Sequence, residues 1–451
     1  MNKNIFREYD IRGVYPSDID EKSAYIIGRS YGSYIQEFLG KKKCVVGHDN
    51  RLSSPALSEA LIKGITESGC DVLFLGLCTT PMYYYACIKT NIIIGIMITA
   101  SHNPKDDNGF KFSFDSLANA RGRQVYDFRD YTFAGIFKSG DGIVETHDIE
   151  DDYLQILKNS TTLGARKLKI VVDPGNGVSS IIARKAHEMF DLDLVMINDV
   201  SDGTFPNHHP DPLVEENLEQ LKAKVLEVGA DIGLAYDGDG DRVGVVDEVG
   251  HMISIDTLMV LFIRNMIDNV SKKEFLYDVK CSKVLEDEIK RLGGTPLCYR
   301  TGASYTRAKT NEENLPFGGE LSGHLYFKDK WDGFDSGIYC GLRLLEILSS
   351  SDKSLSEMIS TIPTMYNTPE IKVKTCDDKK FDIVDKVKQY CIDKKYNIND
   401  IDGVRVTFSY GWALVRASNT GPNLTLRFEA DTEEGLKTIQ EEFSSLVDSL
   451  L

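Results

Sequence analysis

The sequence predicts a multidomain α/β protein in which three similar strand–loop–helix repeats are followed by a smaller α+β domain. Three observations carry this reading. The chain has 451 residues, which at roughly 150 residues per domain asks for about three domains, or four if one is small. Short apolar runs recur, each ending in a polar or Gly-rich segment and followed by helix-like periodicity. Beyond about residue 367 the pattern changes to short alternating strands with two amphipathic helical segments.

Taken in order, the first repeat contains Cys44-Val-Val-Gly47 running into His48-Asp-Asn-Arg51, a helical segment over 54–68, and an apolar strand over 92–98 running into Thr99-Ala-Ser-His-Asn-Pro104. The second opens with Lys169-Ile-Val-Val172 before Asp173-Pro-Gly-Asn-Gly177, and later has a strand over 231–236 before Asp237-Gly-Asp-Gly-Asp-Arg242. The third has Phe275-Leu-Tyr277 before Asp278-Val-Lys-Cys-Ser282, and Leu315-Pro-Phe317 before Gly318-Gly-Glu-Leu-Ser-Gly-His324. In each repeat the richest polar motif follows a strand, where open α/β sheets place their ligands. The last domain alternates at 371–374, is helical over 379–393, has strands at 404–408, 413–416 and 424–428, and closes with a helix from Thr432. Breaks at 139–146, 247–250 and 362–369 divide the chain into 1–145, 146–249, 250–366 and 367–451.

Composition narrows the function classes. Apolar residues make up 42% and charged ones 27%, the balance of a globular protein with ample core. The longest apolar run, over 92–98, is far below the ~20 residues of a membrane span. The N-terminus has no apolar h-region, so a cytoplasmic address is expected. Nine cysteines without CxxC pairing argue for reduced thiols over disulfides or zinc. The 52 basic and 69 acidic residues give a net charge of −17, which disfavours nucleic acid and anionic membranes as partners. A small anionic ligand needs only a local cationic cluster. Composition does not choose between monomer and dimer.

Asp237, Asp239 and Asp241 alternate with glycines, which lets a tight loop converge three carboxylates on a hard cation such as Mg²⁺, Mn²⁺ or Ca²⁺. A hairpin turn needs one Asp-Gly, not three. An EF-hand loop would put Glu248 at its twelfth position, but Arg242 stands where that loop requires Gly, and the flanks read as strands. Ser101, beside His102 and Asn103 at a strand end, is not a GxSxG elbow; it needs a base, a metal or conversion to a phosphoester to react. Lys111, after a tight turn, is placed to return to it. Glu320, Ser322 and His324 suit vicinal sugar hydroxyls. Arg416, Ser418, Asn419 and Thr420 suit phosphate oxygens, and Tyr9-Asp-Ile-Arg12-Gly13 adds a further cation. Read singly, each of these last motifs is also compatible with an ordinary polar turn.

In combination and in this order, the TASHNP, DGDGDR, GGELSGH and RASNTG motifs make the whole chain resemble the α-D-phosphohexomutases, within them the phosphomannomutase/phosphoglucomutase branch. The resemblance implies a heart-shaped arrangement of four domains around one cleft, the last TATA-binding-protein-like. It implies a hexose 6-phosphate to hexose 1-phosphate mutase, on mannose or glucose, acting through a phosphoserine at Ser101 and a hexose 1,6-bisphosphate. Mg²⁺ would be held by Asp237, Asp239, Asp241 and the phosphoserine. Glu320, Ser322 and His324 fall on its sugar loop, and Arg416, Ser418, Asn419 and Thr420 on its phosphate loop. Tyr9, Arg12, Lys111, Arg242 and Lys280 fall on its cleft, with Lys111 the leading proton acceptor, Arg12 its partner and His324 behind them. Ala303 departs from relatives that carry histidine there. The alternatives are a phosphoglucosamine mutase, disfavoured by Leu321 where that branch carries Gln, a metal-dependent phosphatase, and a sugar-phosphate-binding protein without turnover.

Overall fold

The structure, a computed structural model, describes residues 1–451 except 115–117, 377 and 419–420. The described residues form four sheets, one after another along the chain. The first holds β1 (Ile11–Val14), β2 (Lys43–His48), β3 (Asp71–Leu77), β4 (Gly95–Ile98), β5 (Asp107–Ser113) and β6 (Val144–Thr146), in the order β1-β5-β4-β2-β3-β6. The second holds β7 (Leu168–Asp173), β8 (Leu192–Met196), β9 (Ile232–Tyr236), β10 (Val243–Asp247) and β11 (Met252–Ile253), ordered β11-β10-β9-β7-β8. The third holds β12 (Glu274–Asp278), β13 (Thr295–Tyr299), β14 (Phe317–Gly319) and β15 (Leu325–Phe327), ordered β13-β12-β14-β15.

One four-strand pattern underlies all three. In β5-β4-β2-β3, β10-β9-β7-β8 and β15-β14-β12-β13, the first, second and third strands of the repeat pair in parallel, and the fourth returns antiparallel to the third. The first and third strands of each repeat are buried almost throughout and therefore read as continuous apolar runs, while the second is only partly covered. A single hydrophobic cluster runs through all three domains, from Val45 and Met97 through Ile170 and Leu234 to Phe275 and Phe317. The fixed relation of the three sheets follows from that shared core.

The fourth sheet is antiparallel: β16 (Tyr366–Asn367), β17 (Ile371–Lys374), β18 (Asn397–Asn399), β19 (Val404–Phe408), β20 (Gly411–Ala417) and β21 (Asn423–Ala430). Helices Lys380–Asp393 and Glu433–Asp448 cover one face with Val387, Ile439 and Phe443. On the other face Trp412 is fully buried, with the Arg405 guanidinium 4.1 Å from its ring. Arg405 Nη1 donates to the carbonyls of Val279 (2.6 Å) and Cys281 (3.0 Å), docking this domain onto the loop that carries Lys280.

Two details differ from the sequence reading. The apolar run 92–98 becomes a strand only from Gly95, because Ile94 packs into the core and gives its carbonyl to Val45 N before the register with β2 begins. The sheets also overrun the expected boundaries. Residues 145/146 fall inside β6, 366/367 inside β16, and β11 extends the second sheet past 250. These are edge strands of two or three residues joined by backbone pairing, and β6 and β16 are exposed, so no apolar pattern announces them.

Candidate active site

The repeat places its chemistry in one position. Ser101 lies in the loop between β4 and β5, the three aspartates between β9 and β10, and Glu320, Ser322 and His324 between β14 and β15. In each domain this is the turn where a parallel strand hands over to an antiparallel one. The fourth sheet adds the turn after β20, with Arg416 in the strand and Ser418 just past it. All four turns open onto one cleft of about 580 Å³, lined also by Tyr9, Arg12, Lys111, Arg242 and Lys280. Asn419 and Thr420 lie outside the described residues.

At the serine end, Ser101 Oγ donates to Asp237 Oδ2 at 3.0 Å and lies 3.2 Å from His102 Nδ1. The serine is 4% exposed and has φ +51°, a left-handed conformation uncommon outside glycine. Gly238 is required here, because a Cβ on it would sit 2.4 Å from the Ser101 carbonyl oxygen. The metal-type loop can therefore lie directly on the serine's backbone.

Asp237, Asp239 and Asp241 are buried, and one oxygen of each lies within 4.8 Å of the others, a geometry that could hold a metal ion. Lys111 Nζ bridges Asp239 (2.7 Å) and Asp241 (2.6 Å), Arg242 Nε meets Asp237 at 2.9 Å, and Thr80 Oγ1 donates to Asp239 at 2.6 Å. Thr80 is delivered by helix Thr80–Lys89, which Thr79 caps with Pro81 in its first turn. Burial, opposed by Arg242 and aided by the neighbouring carboxylates, pushes Asp237 up to about 7. Asp241 is raised for the same first reason. Asp239 is held low because Lys111 outweighs its burial. Among the described residues Asp239 Oδ1 and Asp241 Oδ1 are buried without a hydrogen-bond partner. Two such carboxylate oxygens in a buried cluster of three are what a hard cation satisfies, so the residues fit a divalent metal. Burial would make Lys111 easier to deprotonate, but the two carboxylates win and hold its pKa well above the usual value. His102 is driven well below its usual value by burial, then by Arg242 and Arg12.

At the sugar end, Glu320 is 1% exposed and accepts from Gly302 N, and burial followed by Asp278 raises it to about 7. His324 Nδ1 lies 2.7 Å from Asp335, and Ser322 faces the cleft. Lys280 pairs with Glu370 of the fourth domain at 2.7 Å, and Arg416 Nε with Asp402 at 3.0 Å. Arg12 is held by Asp10 and by Asn103 Oδ1, each at 2.8 Å. Glu248 is engaged with Ser356 instead of closing a calcium loop. The structure thus brings the described candidate residues together at one cleft, with Asp237 and Asp239 buried just behind its lining.

Sequence reasoning did not single out Thr80, Asp278, Asp335, Glu370 and Asp402. Asp278 ends β12 and accepts from Leu321 N, Thr301 Oγ1 and Cys281 Sγ, tying three loops together. Its position at a parallel strand's end was the available signal. Glu370 and Asp402 sit in a domain with a different pattern and carried none.

Three α/β domains of one topology and an antiparallel fourth, all facing one cleft, are the architecture of the phosphohexomutases, enzymes of the isomerase class. The chain belongs to the phosphoglucomutase/phosphomannomutase family: residues 3–121, 151–250 and 254–366 match its alpha/beta/alpha domains I, II and III, and 370–446 its C-terminal domain. A phosphomannomutase/phosphoglucomutase of Pseudomonas putida is 43% identical over 98% of this chain and 94% of its own length. A phosphoglucomutase of Neisseria meningitidis is 38% identical over 99% and 97%. The crystal structure of a phosphoglucomutase/phosphomannomutase family protein from Burkholderia thailandensis matches with a TM-score of 0.93 at 37% identity, covering 100% of this chain and 98% of that one.

Proposed function

We propose that this phosphohexomutase interconverts hexose 6-phosphate and hexose 1-phosphate, on both glucose and mannose, with Ser101 carrying the phosphoryl group. The observation that carries the reading is Ser101 Oγ, 3.0 Å from Asp237 at one end of a cleft whose other end holds Lys280 and Arg416. A substrate with two ends, one reacting and one gripped, fits that spacing of charge. In the first half-reaction the bond from phosphorus to the serine oxygen breaks as the hexose hydroxyl oxygen bonds to phosphorus, and the hydroxyl proton is taken up by a neighbouring base and ends on the serine oxygen left behind. The resulting hexose 1,6-bisphosphate turns over in the cleft, and the reverse transfer restores phosphoserine.

Such transfer depends on alignment and charge neutralisation more than on covalent assistance. Asp237, Asp239, Asp241 and the phosphoserine would hold Mg²⁺, which when bound neutralises charge on the transferring phosphoryl oxygens. Lys111 and Arg12 add positive charge from the side. Lys111, bridging Asp239 and Asp241, is placed to neutralise charge there and is also the leading candidate, with Arg12 and then His324 behind it, to take the hydroxyl proton. Glu320 and His324 are the titratable groups on the sugar side. Arg416, Ser418, Asn419 and Thr420 are assigned to the idle phosphate, and Tyr9, Ser322 and Lys280 to the sugar's surroundings. The free thiols of all nine cysteines fit a reducing cytoplasm.

Glucose 1-phosphate with a trace of the 1,6-bisphosphate tests this reading: glucose 6-phosphate is the expected product. Free phosphate would make the protein a phosphatase, and absence of product a binding protein. Glucose and mannose phosphates differ only at the 2-hydroxyl, while Glu320 and Ser322 are assigned to the shared 3- and 4-hydroxyls. Their kcat/KM values should therefore agree within about two orders of magnitude. A preference above about 10⁴-fold, the range reached when a site bonds a specific hydroxyl, would mean that another residue reads the 2-position.

A further inference from the structure

We propose that Arg51 is a positioning residue for phosphoryl transfer, holding Ser101 in its reactive conformation by gathering the carbonyls of the serine loop onto one guanidinium. The inference rests on Ser101 being the phosphoryl carrier. Arg51 is 1% exposed and does not itself line the cleft; it reaches the site from behind, through the backbone of residues that do. Its Nη2 donates to the carbonyl oxygens of Ser101 and Asn103, both at 2.7 Å, and its Nη1 to those of Pro104 and Asp107 at 2.5 and 3.0 Å. Asp49 Oδ2 faces its Nε at 3.2 Å, and the ring of Phe205, from the second domain, lies 5.3 Å from the guanidinium carbon. Asp49 is itself fixed by Ser54 Oγ and by the backbone N–H of Arg51.

Four carbonyl dipoles aimed at one point repel one another unless a cation sits there, and a guanidinium presents five donors in a rigid plane. Without it the four inward carbonyls of the turn from 101 to 107 lose their shared donor, and Ser101, at φ +51°, keeps only the bonds of its own N–H and hydroxyl. The Ser101 carbonyl is where the two halves of the site meet. Arg51 donates to it from one side, and the Cα of Gly238 lies against it from the other, which is why no Cβ fits there. Releasing that carbonyl would shift Ser101 Oγ relative to Asp237. It would also loosen Asn103, whose side chain anchors Arg12 at 2.8 Å. The substrate's distant contacts, Glu320, Lys280 and Arg416, are untouched. The expected signature is therefore a loss in kcat without a matching change in KM, whereas a merely structural role would lower the folded fraction and leave the properties of the folded molecules unaltered.

The test compares Arg51→Lys, which keeps the charge but cannot span four carbonyls, with Asp49→Asn, which keeps the guanidinium and weakens its anchor. Folding is checked by circular dichroism and thermal melting, and phosphorylation of Ser101 by glucose 1,6-bisphosphate is followed by quenched-flow intact mass. In folded Arg51→Lys we expect both kcat and the Ser101 phosphorylation rate to fall by about 100-fold, the scale of a small misplacement of reacting atoms, with KM within about threefold. Asp49→Asn should show the same pattern, weaker, at about tenfold, and it decides the matter if Arg51→Lys does not fold. Wild-type phosphorylation rates in either folded variant, or losses fully explained by the unfolded fraction, overturn the proposal. If the wild-type protein itself takes up no phosphoryl group at Ser101, the mutase reading falls and this inference with it.

Discussion

The two ends of the cleft are built on different principles. At the Ser101 end, charges are paired within two domains that share a core: Lys111 with Asp239 and Asp241, Arg242 with Asp237, and the serine loop around Arg51. At the far end, Lys280 and Arg416 face Glu370 and Asp402, and the first of these pairs crosses from the third domain to the fourth, which has a hydrophobic core of its own. On the proposed function the near end would act on a phosphoryl group, and the far end's cations rest on carboxylates that an incoming phosphate would replace. The lesson is that damage near Ser101 should appear in the chemical step, and damage near Arg416 in binding and chemistry together.

The sharpest way to break this comparison is Ser101→Ala. It should lower turnover by more than about 10⁴-fold, as loss of a group that forms the covalent intermediate does, while sugar-phosphate affinity measured by calorimetry stays within a few-fold. Near-normal turnover would remove Ser101 from the mechanism. Metal removal comes next: a chelator should abolish activity, and Mg²⁺ should restore it better than Ca²⁺, whose looser coordination suits aligned transfer less well. Full activity in metal-free protein would contradict the role given to the three aspartates. At the other end, Arg416→Ala should lower kcat/KM by about 10- to 100-fold, with KM up and kcat down, because grip on the idle phosphate also orients the reacting hydroxyl. Unchanged kinetics would mean that the fourth domain does not hold substrate.

The smallest effect concerns Glu320. Its pKa in the folded protein, about 7, lies above the ordinary glutamate value, so the native state binds more protons than the unfolded chain between roughly pH 4.5 and 7. Its contribution to stability is thus present at low pH and is lost as pH rises through 7. Glu320→Gln should flatten that decline, gaining in melting temperature at pH 8 relative to pH 5. A parallel shift at both pH values would show that Glu320 is not held protonated.

Much of this was legible in the sequence because the three repeats obey one rule. A buried parallel strand is a recognisable apolar run, and the polar residues after it, such as Ser101, Asp237 and Glu320, announce themselves. What was not legible depends on partners far apart in the chain. Arg51 is an unremarkable residue after β2 until a turn fifty residues later folds onto it, and its carbonyl partners have no side-chain signature. Glu370 lies ninety residues from Lys280, and the docking of the fourth sheet, through Arg405 and Arg427, brings the two together. The proton balance of Lys111 likewise depends on carboxylates 128 and 130 residues away.

The central claim, that Ser101 carries the phosphoryl group between the ends of one hexose, is tested most directly by following that group. Protein treated with glucose 1,6-bisphosphate labelled in its phosphates should carry the label on the peptide containing Ser101. Chasing with unlabelled glucose 6-phosphate should move it to the sugar at the rate of turnover. Isomerisation that proceeds at full rate while Ser101 stays unlabelled would contradict the account.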